Sequence, residues 1–136
     1  MQEKPMRNRC RGASLVGKAE LPNHKFLINH EGYATIAPSP KEKLYGLIWS
    51  ITKQNENSLD KYEAVSKGLY LKTYKRAYEI DGKNKRNNKS YKVLLYLTKN
   101  SRFGKARKVY LEKILDAARI HKFPKSYMKK LKFWLR

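Results

Sequence analysis

The stretch Glu56-Asn-Ser-Leu-Asp60-Lys-Tyr-Glu63-Ala-Val-Ser-Lys-Gly68-Leu-Tyr70 joins two kinds of structure. Asn57 to Val65 reads as a short helix with Ser58 near its start, a residue type that favours helix beginnings. Tyr70 then opens a segment with strand periodicity. Over 70–80, Tyr70, Tyr74, Tyr78 and Ile80 fall on one face and mainly polar groups on the other. Asp81-Gly82 then begins a polar turn running to Asn88, and Tyr91 to Thr98 returns as a partner strand. Residues 81–90 thus read as a long basic hairpin loop.

Upstream, residues 25–29 and Tyr33 to Ala37 are short strand candidates, the second ended by Pro38 and Pro40. Leu44 to Ile51 is apolar on both faces, the pattern of a central strand covered on both sides. Downstream, Ala106 to His121 carries Tyr110, Leu111, Ile114, Leu115, Ala117 and Ala118 at helical spacing. Pro124 is suited to the first turn of a last helix, whose apolar face is Tyr127, Met128, Leu131, Trp134 and Leu135. About five strands and three helices make an α+β domain spanning residues 1–136, in which a small, mixed, barrel-like sheet carries peripheral helices.

Composition narrows the function classes. Cys10 is the sole cysteine, so neither an intrachain disulfide nor a multi-cysteine zinc site can form. His24, His30 and His121 lack ligand spacing, and no metal is expected. The longest strictly apolar run, Val93 to Leu97, is far too short to span a membrane as a helix. Met1-Gln-Glu-Lys-Pro5 has no signal-peptide core. A cytoplasmic protein is expected.

The net charge is +21, and it is unevenly spread. Residues 1–65 hold ten Lys/Arg and seven Asp/Glu, whereas residues 66–136 hold 22 and four. Such a field attracts anions, and tyrosines interleaved with lysines between 67 and 96 suit a basic nucleic-acid-binding module. No nucleic-acid motif accompanies them, so the expectation is non-specific charge attraction at a solvated, Lys-rich surface.

The quoted stretch resembles the signature of the γ-glutamylcyclotransferase-like superfamily: a Leu-Asp, a Glu after two intervening residues, and a downstream Tyr. Gly32-Tyr-Ala-Thr-Ile-Ala-Pro38 and Gly46-Leu-Ile-Trp-Ser-Ile51 resemble two of its strands. Met6 to Ala13 resembles its short helix and turn. Tyr110 to Arg119 with Phe123 to Tyr127 resembles its final helices. The family has a strand before these segments, ending in a Tyr-Gly-Ser-Asn or Tyr-Gly-Thr substrate loop. Only five residues precede Met6 and none match, so that strand and loop are expected to be missing, as in an N-terminally truncated domain. Ala64 stands where the family usually has Gly.

The resemblance implies cleavage of a γ-glutamyl amide without metal or coenzyme. The substrate's α-amine attacks its own γ-carbonyl, giving 5-oxoproline and a free amine. Positioning supplies much of an intramolecular rate, and a carboxylate moves the proton from attacking to leaving amine. Glu63 takes that acid/base position. Shelter that lifts it above the ordinary glutamate pKa of about 4.3 would suit it to neutral pH. Tyr70 and Tyr110 match tyrosines that line the substrate pocket. Asp60 reads as a helix-turn group, and Cys10 as a small inert residue. The alternative is a catalytically degenerate family member lacking the loop. The partner implied is a small γ-glutamyl molecule, with a monomer or homodimer as the assembly.

Overall fold

The computed structural model describes residues 12–29, 32–62, 70–98, 104–105 and 107–134. In chain order these form β1 (Ser14–Ile28), β2 (Ala34–Ser50), α1 (Lys53–Tyr62), β3 (Tyr70–Ile80), β4 (Arg86–Thr98), α2 (Lys108–Ile120) and α3 (Lys125–Lys132). The strands make one sheet in the order β2-β1-β3-β4, and every described pairing is antiparallel. This is the expected α+β arrangement of a sheet with peripheral helices; among the described residues the sheet is antiparallel rather than mixed and is not closed into a barrel. Residues 1–11, where the expected helix and turn begin and the substrate loop was sought, lie outside the described residues.

Two hairpins dominate. In the first, the two expected strands are one: β2 continues past Pro38 and Pro40, with Pro40 in a bulge. Among the described residues its partner is β1 alone, so it stands at the edge of the described sheet rather than at its centre, and an edge tolerates proline because one row of N–H groups has no ladder to feed. The register jumps between Pro22 and His24, where Ser39 to Glu42 loop out opposite Asn23. Asn23 and Lys41 both adopt positive φ there, and Lys41 N–H donates to Asn23 Oδ1 at 3.3 Å. The true central strand, β1, starts at Ser14 and includes Gly17, Pro22 and Asn23, residues that read as turn formers.

In the second hairpin, the turn is shorter than expected. Asp81 Oδ1 accepts the N–H groups of Lys83 (2.8 Å) and Lys85 (3.0 Å), which closes the loop by Lys85. β4 therefore begins at Arg86. Its extra residues 87–89 bulge opposite Glu79.

The helices α2 and α3 cover the β1–β2 half. Leu111, Ile114, Leu115, Ala118, Phe123, Tyr127 and Leu131 form the buried cluster, with Phe26, Leu44, Tyr45 and Leu47 packed against it. Tyr127 donates to the Tyr45 carbonyl at 3.3 Å, and burial pushes its phenol pKa well above the ordinary 10.0. The helices are joined by a Schellman turn: Phe123 N–H reaches Ala118 O (3.1 Å) and Lys122 N–H reaches Arg119 O (3.1 Å), with Lys122 at φ +55°. Asn84 at the tip of the β3–β4 hairpin donates to the Lys122 carbonyl at 3.0 Å.

The two hairpins meet along a short seam. Only Lys18, Ala19 and Glu20 of β1 pair with Ile80, Glu79 and Tyr78 of β3. Glu20, 2% exposed, sits at its end between Tyr45 and Tyr78 on the flanking strands. Its carboxylate accepts from Arg86 Nε of β4 and lies 3.6 Å from Lys43 Nζ of β2. One buried charge thus ties three strands together. A buried carboxylate that loses its cation costs several kcal/mol, whereas half-exposed cations that lose their carboxylate can turn to water. Arg86→Ala should therefore destabilise the protein more than Glu20→Gln, by about 2 kcal/mol or more in urea unfolding. Equal costs for the two variants would refute this account of the seam.

Candidate functional site

The helix that precedes Glu63 is built from a local cap and a cross-sheet clamp. Thr52 and Asn55 exchange hydrogen bonds, Thr52 N–H to Asn55 Oδ1 and Asn55 N–H to Thr52 Oγ1, each 3.1 Å. This is a capping box with Asn at its third position, and it starts α1 at Lys53, four residues before the expected Asn57. Asn55 is buried.

One helical turn apart, Glu56 and Asp60 face the sheet and share Lys72 of β3. Lys72 Nζ donates to Glu56 and lies 3.2 Å from Asp60 Oδ2. Tyr96 of β4, opposite Lys72 in register, donates its hydroxyl to Asp60 Oδ1 at 2.6 Å. Asp60 is therefore the bracket of α1 on the β3–β4 hairpin, which corrects its reading as a helix-turn group only. The Tyr96 hydroxyl, followed by Lys72, holds the Asp60 carboxyl below its ordinary 3.8. The Lys72 ammonium holds Glu56 below its ordinary 4.5.

The three site residues named from the sequence fare differently. Glu63 follows α1 directly and lies outside the described residues. Tyr70 opens β3 opposite Thr98. Tyr110 stands in the first turn of α2, where its hydroxyl oxygen accepts the N–H of Ala34 at 3.0 Å. Its ring meets Tyr33 edge-on, centroids 5.8 Å apart, and the Arg107 guanidinium lies 6.0 Å from the Tyr33 centroid. Tyr110 thus fastens α2 to the start of β2. The family likeness flagged Tyr110 as a pocket tyrosine, and no sequence pattern announced its partner 76 residues upstream.

Near this end of the sheet, Gly104 N–H reaches Ile28 O at 3.0 Å. Gly32, at φ +91°, lies so close to the Lys105 carbonyl that a Cβ would meet it at 3.2 Å. A recess of about 370 Å³ has Gly104, Lys105, Phe133 and Trp134 in its lining. It offers an apolar wall and one cation, and no carboxylate among its described lining. Among the described residues, no three His, Cys, Asp or Glu side chains converge as metal ligands.

With the four strands, the covering helix pair and the bracketed α1 in place, the comparisons with known proteins fall into line. The sequence pattern of the AIG2-like family matches residues 43–131, and the chain belongs to that family. It is homologous to the gamma-glutamylcyclotransferase of Homo sapiens, at 31% identity over 103 residues, 76% of this chain and 52% of the human one. The Mus musculus counterpart is 32% identical over the same shares of both chains. The chain spans about half the length of these curated relatives. A solved gamma-glutamyl cyclotransferase superposes with a TM-score of 0.80 at 25% identity, covering 95% of this chain and 79% of that one. Among the described residues, no helix is long and apolar enough to cross a membrane.

The bracket predicts a pH response. Both carboxyls are held below their ordinary values, so their contribution to stability is complete above about pH 5 and is lost as pH falls through the depressed folded-state values. The melting temperature of wild type should fall between pH 5 and pH 3. Asp60→Asn should flatten part of that fall, and Tyr96→Phe should lower Tm by about 2–6 °C at pH 7. A Tyr96→Phe melt indistinguishable from wild type would show that the bracket contributes nothing.

Proposed function

We propose that this protein cyclises a γ-glutamyl amino acid or amine to 5-oxoproline, releasing the amine. Glu63 is the general acid/base in this reading, and Tyr70 and Tyr110 are pocket groups. The observation that carries it is the match of residues 43–131 to the AIG2-like family, which includes the Leu-Asp-Lys-Tyr-Glu segment, together with homology to named cyclotransferases.

The chemistry needs three things of the chain. The γ-glutamyl group must be folded so that its α-nitrogen approaches its own γ-carbonyl, which converts binding into rate. A carboxylate must take the ammonium proton, so that the amine lone pair is free to form the new C–N bond. The same carboxyl then returns a proton to the departing nitrogen as the old C–N bond breaks, which regenerates the carboxylate. No external oxidant or cosubstrate enters this balance.

The described geometry supports the reading through α1. Asp60 is clamped by Tyr96 and Lys72, three residues before Glu63. A base must keep its reach within a few tenths of an ångström, and a bracketed helix end is a suitable support for one. Tyr110, pinned between α2 and β2, is a rigid aromatic group of the kind that shapes a small-molecule pocket.

The test is turnover on a panel of γ-glutamyl dipeptides and γ-glutamyl amines, with 5-oxoproline as the measured product. Wild type should form it, and Glu63→Gln should lower kcat by about 100-fold or more while the circular dichroism spectrum stays unchanged. Turnover that survives in the Glu63→Gln variant removes this residue from the mechanism. A wild-type protein inert across the whole panel overturns the activity itself.

A further inference from the structure

Part of the charge in the C-terminal half gathers on one sheet face, where the alternation of β3 and β4 places Lys72, Arg76 and Lys92. Cross-strand partners share a face, and here they are Lys72 with Tyr96, Tyr74 with Leu94, Arg76 with Lys92, and Tyr78 with Ser90. The side-chain contacts agree with that register. Lys92 Nζ lies 5.2 Å from the Tyr74 ring centroid, and Arg76 Nη1 donates to Ser90 Oγ at 3.0 Å. Arg86 stacks on Tyr78, its Cζ 3.9 Å from the ring centroid.

The face has two closed ends and an open middle. At one end Lys72 is consumed by Glu56 and Asp60 of α1. At the other, Arg86 is engaged by Glu20. Between them Tyr74 is 51% exposed, and Arg76 and Lys92 are exposed. No position of β3 or β4 on this face carries a carboxylate; Glu20 of β1 lies at its closed end. Glu79 points the other way, toward Tyr91 and Asn87. Beyond Arg86, the basic hairpin turn with Lys83 and Lys85 continues to the α2–α3 junction through the Asn84–Lys122 contact.

We infer that this open face of the β3–β4 hairpin binds single-stranded nucleic acid without sequence preference. Tyr74 is the stacking ring, and Arg76 and Lys92 are the phosphate contacts; Tyr78, its ring covered by Arg86, closes one end of the site. Alternate residues on a strand are about 7 Å apart, so the ring and the next cation along β3 stand about as far apart as neighbouring nucleotides of an extended single strand released from its stacked spacing of about 3.4 Å. A ring accepts any base because every base has a π face, and the cations beside it track the backbone. A duplex keeps its bases stacked inside and has no such use for tyrosines. A membrane would call for large apolar side chains on the face, and the open middle holds a ring beside cations. This surface is independent of the cyclotransferase reading, whose residues do not belong to it apart from the start of β3.

Fluorescence anisotropy with a labelled oligothymidylate of about 20 nucleotides tests the inference across a salt series. Tyr74→Leu, which keeps apolar bulk but removes the π face, should weaken binding about tenfold, while Tyr74→Phe should bind like wild type. The double variant Arg76→Gln/Lys92→Gln should reduce the slope of log Kobs against log salt by about 1.4, at about 0.7 per phosphate contact. The control Lys113→Gln/Lys129→Gln removes the same charge from exposed positions on α2 and α3 and should leave most of the slope intact. An equal loss in the control would reduce the effect to bulk charge and overturn the proposal. Equal binding by Tyr74→Leu and Tyr74→Phe would overturn it too, as would a duplex bound as tightly or full competition by anionic vesicles. Thermal melts of each variant separate these outcomes from unfolding.

Discussion

Three residue pairs hold the two halves of this sheet together, and a buried carboxylate stands at the end of them. Lys18 to Glu20 of β1 meet Tyr78 to Ile80 of β3, and no other described pairing joins the hairpins. Glu20 alone touches charged groups from β2 and from β4. A carboxylate at such a place is costly to bury unless it is well paired, so its presence constrains every strand around it. Lys43 and Arg86 must arrive from opposite sides, which fixes the register of both outer strands relative to β1.

That constraint governs the proposed chemistry because its parts belong to different halves. α1 is bracketed to β3 and β4 through Asp60 and Lys72. Tyr110 is fastened to the first residue of β2. The distance between the end of α1 and the tyrosine on α2 is therefore set by how the hairpins sit on one another. The open β3–β4 face belongs wholly to one half, so it depends less on the seam than the pocket does.

Much of this was legible in the sequence, and the illegible parts have specific causes. The helical spacing of Leu111, Ile114, Leu115 and Ala118 marked the covering helix, and the Tyr70–Thr98 hairpin showed through its periodicity. The first half of β1 did not show, because Gly17, Pro22 and Asn23 are turn formers, taken into the strand at the two irregularities of its register with β2. Pro38 and Pro40 suggested the end of a strand, whereas the chain loops out over 39–42 and resumes the same strand. The start of α1 was hidden because its capping box uses Asn55 in place of the usual Glu or Gln. The tyrosines of β3 were placed on one side by its periodicity, which does not tell that Tyr74 there is half exposed. Asp60 looked ordinary since its partners lie 12 and 36 residues away. The site residues themselves came from family likeness; periodicity pointed to none of them.

The latch between the β3–β4 tip and the α2–α3 junction has an evolutionary asymmetry. Its donor is the side chain of Asn84, but its acceptor is the main-chain carbonyl of Lys122. Any amino acid at position 122 that tolerates the left-handed bend presents the same oxygen, so that position is free to drift. Position 84 has no such freedom, as few side chains offer an amide at that reach while also sitting at positive φ. Divergence among relatives that keep this contact should accumulate on the helix side of the latch and spare the hairpin side.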